Sequence, residues 1–175
     1  LKKKLKLFTL KNKYFQILSH NYKNEAQILK IKHKNLIHEV RVNLVGKIQL
    51  KNILMAVIAA SKSNLDLQKI FSAIPKLSPV EGRFEKIGKI KNKSLVFLDY
   101  AHSPDALQTC IQNIREQFSD KHISVLFGCG GDRDKGKRSK MGKIASKYAD
   151  KIYLTDDNPR QESPSKIRED IKKGI

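Results

Sequence analysis

The sequence predicts an α/β protein in two parts, the second a mostly parallel sheet with helices on its faces. Three observations carry that expectation. From about residue 82 the chain runs three times through an apolar stretch, a polar loop and a helix with an apolar stripe, the pattern of βα units on a parallel sheet. Two of the helices open on Ser-Pro, at Ser103-Pro104 and Ser163-Pro164, with Ser as cap and Pro at the first helical position. Before residue 45 the pattern differs, alternating apolar and polar positions as half-buried strands do.

Taken in order, Phe15-Gln16-Ile17-Leu18 and Val40-Arg41-Val42-Asn43-Leu44 are strand signals. Ile48–Ala60 reads as a helix, with Ile53, Leu54, Val57, Ile58 and Ala60 on one side, and a shorter helix follows over Ser63–Ile74. Pro75 and Pro79 punctuate the chain, and Ser78-Pro79-Val80-Glu81-Gly82 reads as the linker. Leu95-Val96-Phe97-Leu98 reads as a strand buried on both faces. Leu107, Cys110, Ile111, Ile114 and Phe118 then mark a helix, and Ile123–Phe127 the next strand. A helix over Ser139–Tyr148, a strand over Lys151–Thr155 and a helix from Ser163 complete the series. Right-handed crossovers would gather the three strand-end loops on one edge, where open α/β sheets bind ligands.

Composition excludes several classes. At 39% hydrophobic the chain can bury a core, yet it has no apolar run near the ~20 residues that span a bilayer. Leu1–Phe8 reads as a charged strand, without the apolar stretch and cleavage site of an export signal. A net charge of +19 raises nucleic-acid binding. Only seven of the 36 basic residues are Arg, however, Trp is absent and no aromatic stacking motif appears. Lysine-rich solvated surface explains the charge more simply. Cys110 and Cys129 have no metal spacing and suit a reducing compartment.

The chemistry sits in the strand-end loops: Asp99–Asp105, Gly128–Arg138 and Asp156–Arg160. In the last, Arg160 follows Pro159 and can grip a carboxylate through two parallel hydrogen bonds, while Asp157 can take an ammonium. That equips a pocket for a zwitterionic amino acid. Gly131-x4-Gly136-Lys137 resembles a phosphate-binding loop, but Arg138 stands where Ser or Thr should be, and Asp132 and Asp134 would repel phosphates. The glycines of this loop are instead expected to permit a tight turn that aims Arg133 into the cleft.

Asp99-Tyr100-Ala101-His102-Ser103-Pro104-Asp105, Gly128-Cys129-Gly130-Gly131-Asp132-Arg133-Asp134-Lys135-Gly136-Lys137-Arg138 and Asp156-Asp157-Asn158-Pro159-Arg160, in this order, resemble the Mur ligases of peptidoglycan synthesis, in particular those adding the third amino acid. The resemblance covers nearly the whole chain and is most specific from Gly82 onward. It implies that residues 1–78 are the end of the central ATP-binding domain and 79–175 the first part of the Rossmann-like C-terminal amino-acid-binding domain, with its mostly parallel sheet, both incomplete. It implies an ATP-dependent ligase in which the γ-carboxylate of UDP-MurNAc-L-Ala-D-Glu is phosphorylated and the amine of meso-diaminopimelate attacks the acyl phosphate. Asp157, Asn158 and Arg160 would hold the distal end of meso-diaminopimelate, with Arg133 as a further contact. Leu44–Asn52 is similar to a family stretch in which Asn52 faces adenine; Ile48 and Gln49 stand where the family has Phe and Asn. Arg83, in Gly82-Arg83-Phe84-Glu85, would reach the ATP phosphates, Asp99 the ribose, and His102 would line the nucleotide site. ATP and Mg²⁺ are the implied cofactors, with the metal ligands outside these residues. The implied setting is cytoplasmic, with no nucleic acid, no membrane insertion and a monomeric full-length protein.

The family's upstream phosphate loop, Mg²⁺-binding Glu, carbamylated Lys and UDP-sugar domain have no counterpart in these residues. The chain therefore reads as a fragment, without catalytic residues of its own and inactive alone. Two alternatives remain open. A folylpolyglutamate synthetase-like ligase shares the architecture and the Asp-Tyr-Ala-His segment, but does not explain Asp-Asn-Pro-Arg. A basic nucleic-acid-binding module would bind with a steep salt dependence, but leaves all three loops unexplained.

Overall fold

The structure, a computed structural model, describes residues 15–91 and 93–175. The strand expected at Leu1–Phe8 lies outside them. The chain forms two compact units, one running to Phe84 and one from Glu85 to Ile175.

The first unit is a meander of three antiparallel strands, β1 (Gln16–Lys23), β2 (Ala26–His33) and β3 (Leu36–Val42). Two-residue turns at Asn24-Glu25 and Lys34-Asn35 join them, each with its first residue at positive φ, which suits the twist of a tight hairpin. Helices α1 (Lys47–Lys62) and α2 (Leu67–Ala73) and a 3-10 turn at Ile74–Lys76 follow. Leu29, Ile31, Val40 and Val42 form one core with Leu50, Ile53, Leu54, Val57 and Ile58 of α1 and Phe71 of α2. The alternation along β2 and β3 and the helical spacing along α1 thus bury matching faces. Helix α2 starts later than Ser63 because the Asp66 carboxylate accepts from Lys69 N–H at 3.0 Å and caps it there. Gln27 is fully buried; its amide donates to the carbonyls of Leu44 (2.7 Å) and Gly46 (3.2 Å), fixing the approach to α1.

The second unit holds β4 (Glu85–Lys89), β5 (Leu95–Leu98), α3 (Pro104–Gln117), β6 (Ser124–Phe127), α4 (Gly136–Tyr148), β7 (Lys151–Leu154) and α5 (Pro164–Lys172). β6 and β7 pair in parallel, from Ser124 opposite Lys151 to Phe127 opposite Leu154. Among the described residues β5 ladders antiparallel with β4 rather than with β6. Nor is β5 buried on both faces, since Val96 and Leu98 are exposed.

Helices α3, α4 and α5 share one core: Leu107, Ile111, Met141, Ala145, Ile167 and Ile171 pack with Ile123, Phe127 and Cys129. Leu126 and Tyr153, opposite each other on the parallel pair, are exposed. The three helices therefore bury their apolar stripes against the same side of this pair. Pro occupies the first turn of α3 and of α5. Ser103 caps α3 by accepting from Ala106 N–H at 3.3 Å. Ser163 makes no such bond; its hydroxyl meets that of Ser165 at 2.8 Å. No helix among the described residues is long and apolar enough to cross a membrane.

Candidate functional site

The loops after β6 and β7 are stitched together at their backbones. Gly131 N–H donates to Asn158 O at 2.8 Å, and Arg160 Nη1 donates to Gly131 O at 2.7 Å. Asp132 N–H donates to Glu162 Oε1 at 2.6 Å, and Gln161 N–H donates to Asp132 Oδ2 at 3.1 Å. The glycines permit this approach by lacking a side chain. A methyl carbon at Gly130 would lie 2.9 Å from Arg160 Nη1 and 3.7 Å from Asp157 Oδ2, and one at Gly131 would lie 2.6 Å from the Pro159 carbonyl carbon. The expected glycine turn is corrected here. Gly128, Gly130 and Gly131 are not at positive φ; the left-handed positions are Asp132 (φ 49) and Arg160 (φ 51).

Three of the four predicted amino-acid ligands meet at this point. The guanidinium of Arg160 and the carboxylate of Asp157 border the space that a side chain at Gly130 would fill, with the Asn158 carbonyl 3.5 Å from it. A cation and an anion brought side by side match the two charges of a zwitterion. Asp157 and Asn158 are exposed, as is Arg133, which makes no ion pair among the described residues. Asp156, the first acid of the run, is instead paired with Arg168 on α5. The loop after β5 joins through Lys137, whose Nζ donates to His102 O at 2.7 Å. His102 is exposed, its Nδ1–H donating to Tyr100 O at 3.1 Å, and Asp99 is half-buried.

Asn52 and Arg83 belong to the first unit. Asn52 is exposed on α1 and donates to Gln49 Oε1 at 3.4 Å; Gln49 Nε2 donates to Arg83 O at 3.1 Å. Gln49 therefore links the two residues. Among the described residues no three His, Cys, Asp or Glu side chains gather as a metal site.

The sequence reading passed over the ion network beneath the loops. Arg138 is fully buried. It donates to Glu162 through both Nη atoms (2.8 and 3.0 Å), to Asp170 Oδ2 at 3.1 Å and to Gly130 O at 3.4 Å. Hydrogen bonds from Arg138 and Asp132 N–H hold the Glu162 carboxyl down to about 2, and Lys173 and Arg138 lower that of Asp170. A signal was available: Arg138 lies three residues before Met141 and seven before Ala145, on the buried stripe of α4. A cation there needs buried carboxylates. It also disposes of the phosphate-loop resemblance, since residue 138 faces the interior.

Neither cysteine is poised as a nucleophile. Burial, then the nearby Asp99, pushes the Cys110 thiol up to about 12, and burial raises that of Cys129, whose Sγ lies 3.7 Å from Met141 Sδ.

Fold and loops together define an α/β protein with joined, charge-bearing loops at the carboxyl ends of its parallel strands. Residues 82–175 match the family description "Mur ligase, glutamate ligase domain", and the chain belongs to the Mur ligase family. It is 45% identical to a UDP-N-acetylmuramoyl-L-alanyl-D-glutamate–2,6-diaminopimelate ligase of Rhizobium meliloti, over 77% of this chain and 28% of that protein. To the ligase of the same name from Rickettsia typhi it is 38% identical, over 95% of this chain and 35% of that one. A solved structure of a ligase of this name superposes with a TM-score of 0.67 at 34% identity, covering 93% of this chain and 33% of that chain. The chain thus spans about a third of the length of the curated relatives it matches. A folylpolyglutamate synthetase from Lactobacillus casei, 20% identical with a TM-score of 0.62, shares the fold.

Proposed function

We propose that these residues supply the amino-acid pocket, and part of the ATP site, of a ligase that joins meso-diaminopimelate to UDP-MurNAc-L-Ala-D-Glu in peptidoglycan synthesis. The observation that supports this reading is that the Arg160 guanidinium and the Asp157 carboxylate come together against Gly130, in a chain of the Mur ligase family. Arg160 would pair with the distal carboxylate of meso-diaminopimelate and Asp157 with its ammonium. Asn158 and Arg133 would add polar contacts. L-lysine lacks that carboxylate and would leave the guanidinium without its partner, and sites built around a polar group reject analogues lacking it.

In the same proposal residues 1–78 close the central ATP-binding domain and 79–175 open the amino-acid-binding domain. Asn52 would meet the adenine, Arg83 the phosphates, Asp99 the ribose, and His102 would line the nucleotide site. ATP, with Mg²⁺ held by residues elsewhere in the ligase, supplies the phosphoryl group that activates the acceptor carboxylate. The part played by these residues is to hold the incoming amino acid with its reacting amine free, so catalysis here is positioning. The 175 residues alone would not ligate, and the whole enzyme would be a cytoplasmic monomer.

The test is phosphate release by the full-length protein with ATP and UDP-MurNAc-L-Ala-D-Glu, comparing meso-diaminopimelate with L-lysine. Release with meso-diaminopimelate alone is expected. Release with both would keep the ligase and discard the Arg160 clamp; release with neither would return the folate-ligase and nucleic-acid readings.

A further inference from the structure

Beneath the pocket lies a charge cluster that the ligand contacts do not use. Arg138 on α4 meets Glu162 and Asp170, the first just past the Asp-Asp-Asn-Pro-Arg run and the second on α5. Glu162 also holds Asp132 N–H, and Asp132 in turn holds Gln161 N–H. The clamped residues are immediate neighbours of the two cationic arms: Asp132 precedes Arg133, and Gln161 follows Arg160. Asp132 and Arg160 both sit in the left-handed region, which costs energy for residues other than glycine and persists only where surroundings enforce it. Arg138 shares the two carboxylates with lysines, Lys135 reaching Glu162 at 3.4 Å and Lys173 reaching Asp170 at 2.6 Å, but among the described residues it alone bridges both.

We propose that Arg138 is a positioning residue of the amino-acid site: by fixing Glu162 and Asp170 it holds the loops that carry Arg133 and Arg160. The inference rests on the proposed function for its kinetic consequence, but not for the clamp itself. Lysine in its place keeps the charge and loses the two-pronged grip on Glu162, so the loops should loosen while the core survives.

The test uses Arg138→Lys in the full-length protein, with Glu162→Gln as a second variant should the first fail to fold. The expected result is a KM for meso-diaminopimelate raised on the order of ten- to hundred-fold, with the KM values for ATP and UDP-MurNAc-L-Ala-D-Glu within about two-fold of wild type. Hydrogen exchange at the Asp132 and Gln161 amides should quicken while that of β6 and β7 holds. A rise in all three KM values together, or a lower melting temperature with the meso-diaminopimelate KM unchanged, would overturn the positioning role. Were wild type to release no phosphate with meso-diaminopimelate, the proposed function would fail, and exchange would decide the clamp by itself. Unaltered exchange at Asp132 and Gln161 in the variant would overturn it; faster exchange confined to those loops would uphold it.

Discussion

Replacing Gly131 by alanine should separate the two loops that build the pocket. The new methyl carbon would lie 2.6 Å from the Pro159 carbonyl carbon and 3.2 Å from its Cα. Carbon atoms pack at about 3.5–4.0 Å, so the backbones must part by about 1 Å. That displacement would stretch the 2.8 Å bond from Gly131 N–H to Asn158 O and the 2.7 Å bond from Arg160 to Gly131 O beyond hydrogen-bonding range. Overpacking costs about 1–3 kcal/mol, and a lost backbone hydrogen bond about 1 kcal/mol. With both bonds lost the second unit should lose about 3–5 kcal/mol, a fall in melting temperature on the order of 20 °C. In the full-length protein a misplacement of about 1 Å should weaken use of meso-diaminopimelate by about 10²-fold. Gly136→Ala is the control from the same loop: its methyl would meet only the exposed Asp134 carboxylate, at 3.2 Å. Thermal melts of both variants, followed by KM measurements, check the contrast. If Gly131→Ala melts with wild type and keeps its KM, the close approach is not rigid and the reasoning fails.

Three further outcomes are expected. Glu162 is held at about 2, below its ordinary 4.5; a lowered carboxyl contributes stability above the ordinary value that is lost as pH falls through the lowered one. Near-UV circular dichroism should accordingly show the second unit loosening between about pH 4.5 and 2, with a shallower acid limb in Glu162→Gln; identical limbs would contradict the Arg138 pairing. Arg160→Met should erase discrimination between meso-diaminopimelate and L-lysine, up to ~10⁴-fold in kcat/KM, and retained discrimination would place the specificity elsewhere. Cys110, pushed up to about 12, and buried Cys129 should react slowly with a thiol reagent at pH 8 until denaturant is added, whereas rapid native labelling of either would show that its burial is not maintained.

How much the sequence revealed depended on the range of the interactions concerned. Periodicity located α1 and α4 to within a few residues, because a stripe of apolar side chains at helical spacing is a local property that burial merely exploits. Pro104 and Pro164 marked their helix starts, since proline fixes its own φ without outside help. The motif loops were equally legible as residue types in order, and they identified the family. Contacts between segments distant along the chain were not. Asp156 and Asp157 look alike in sequence, but Arg168 takes the first and leaves the second exposed near the Arg160 guanidinium. The loop glycines read as a turn and serve instead as a gap through which Pro159 and Arg160 approach. Arg138 read as a mismatch to a phosphate loop and proved to be the buried cation joining α4, α5 and both pocket loops. Hydrophobic periodicity, capping and composition are written along the chain and determined the class of fold and the kind of chemistry. Which charge is buried, which is exposed and which backbones touch were decided only when the helices packed, because each depends on partners 12 to 32 residues away.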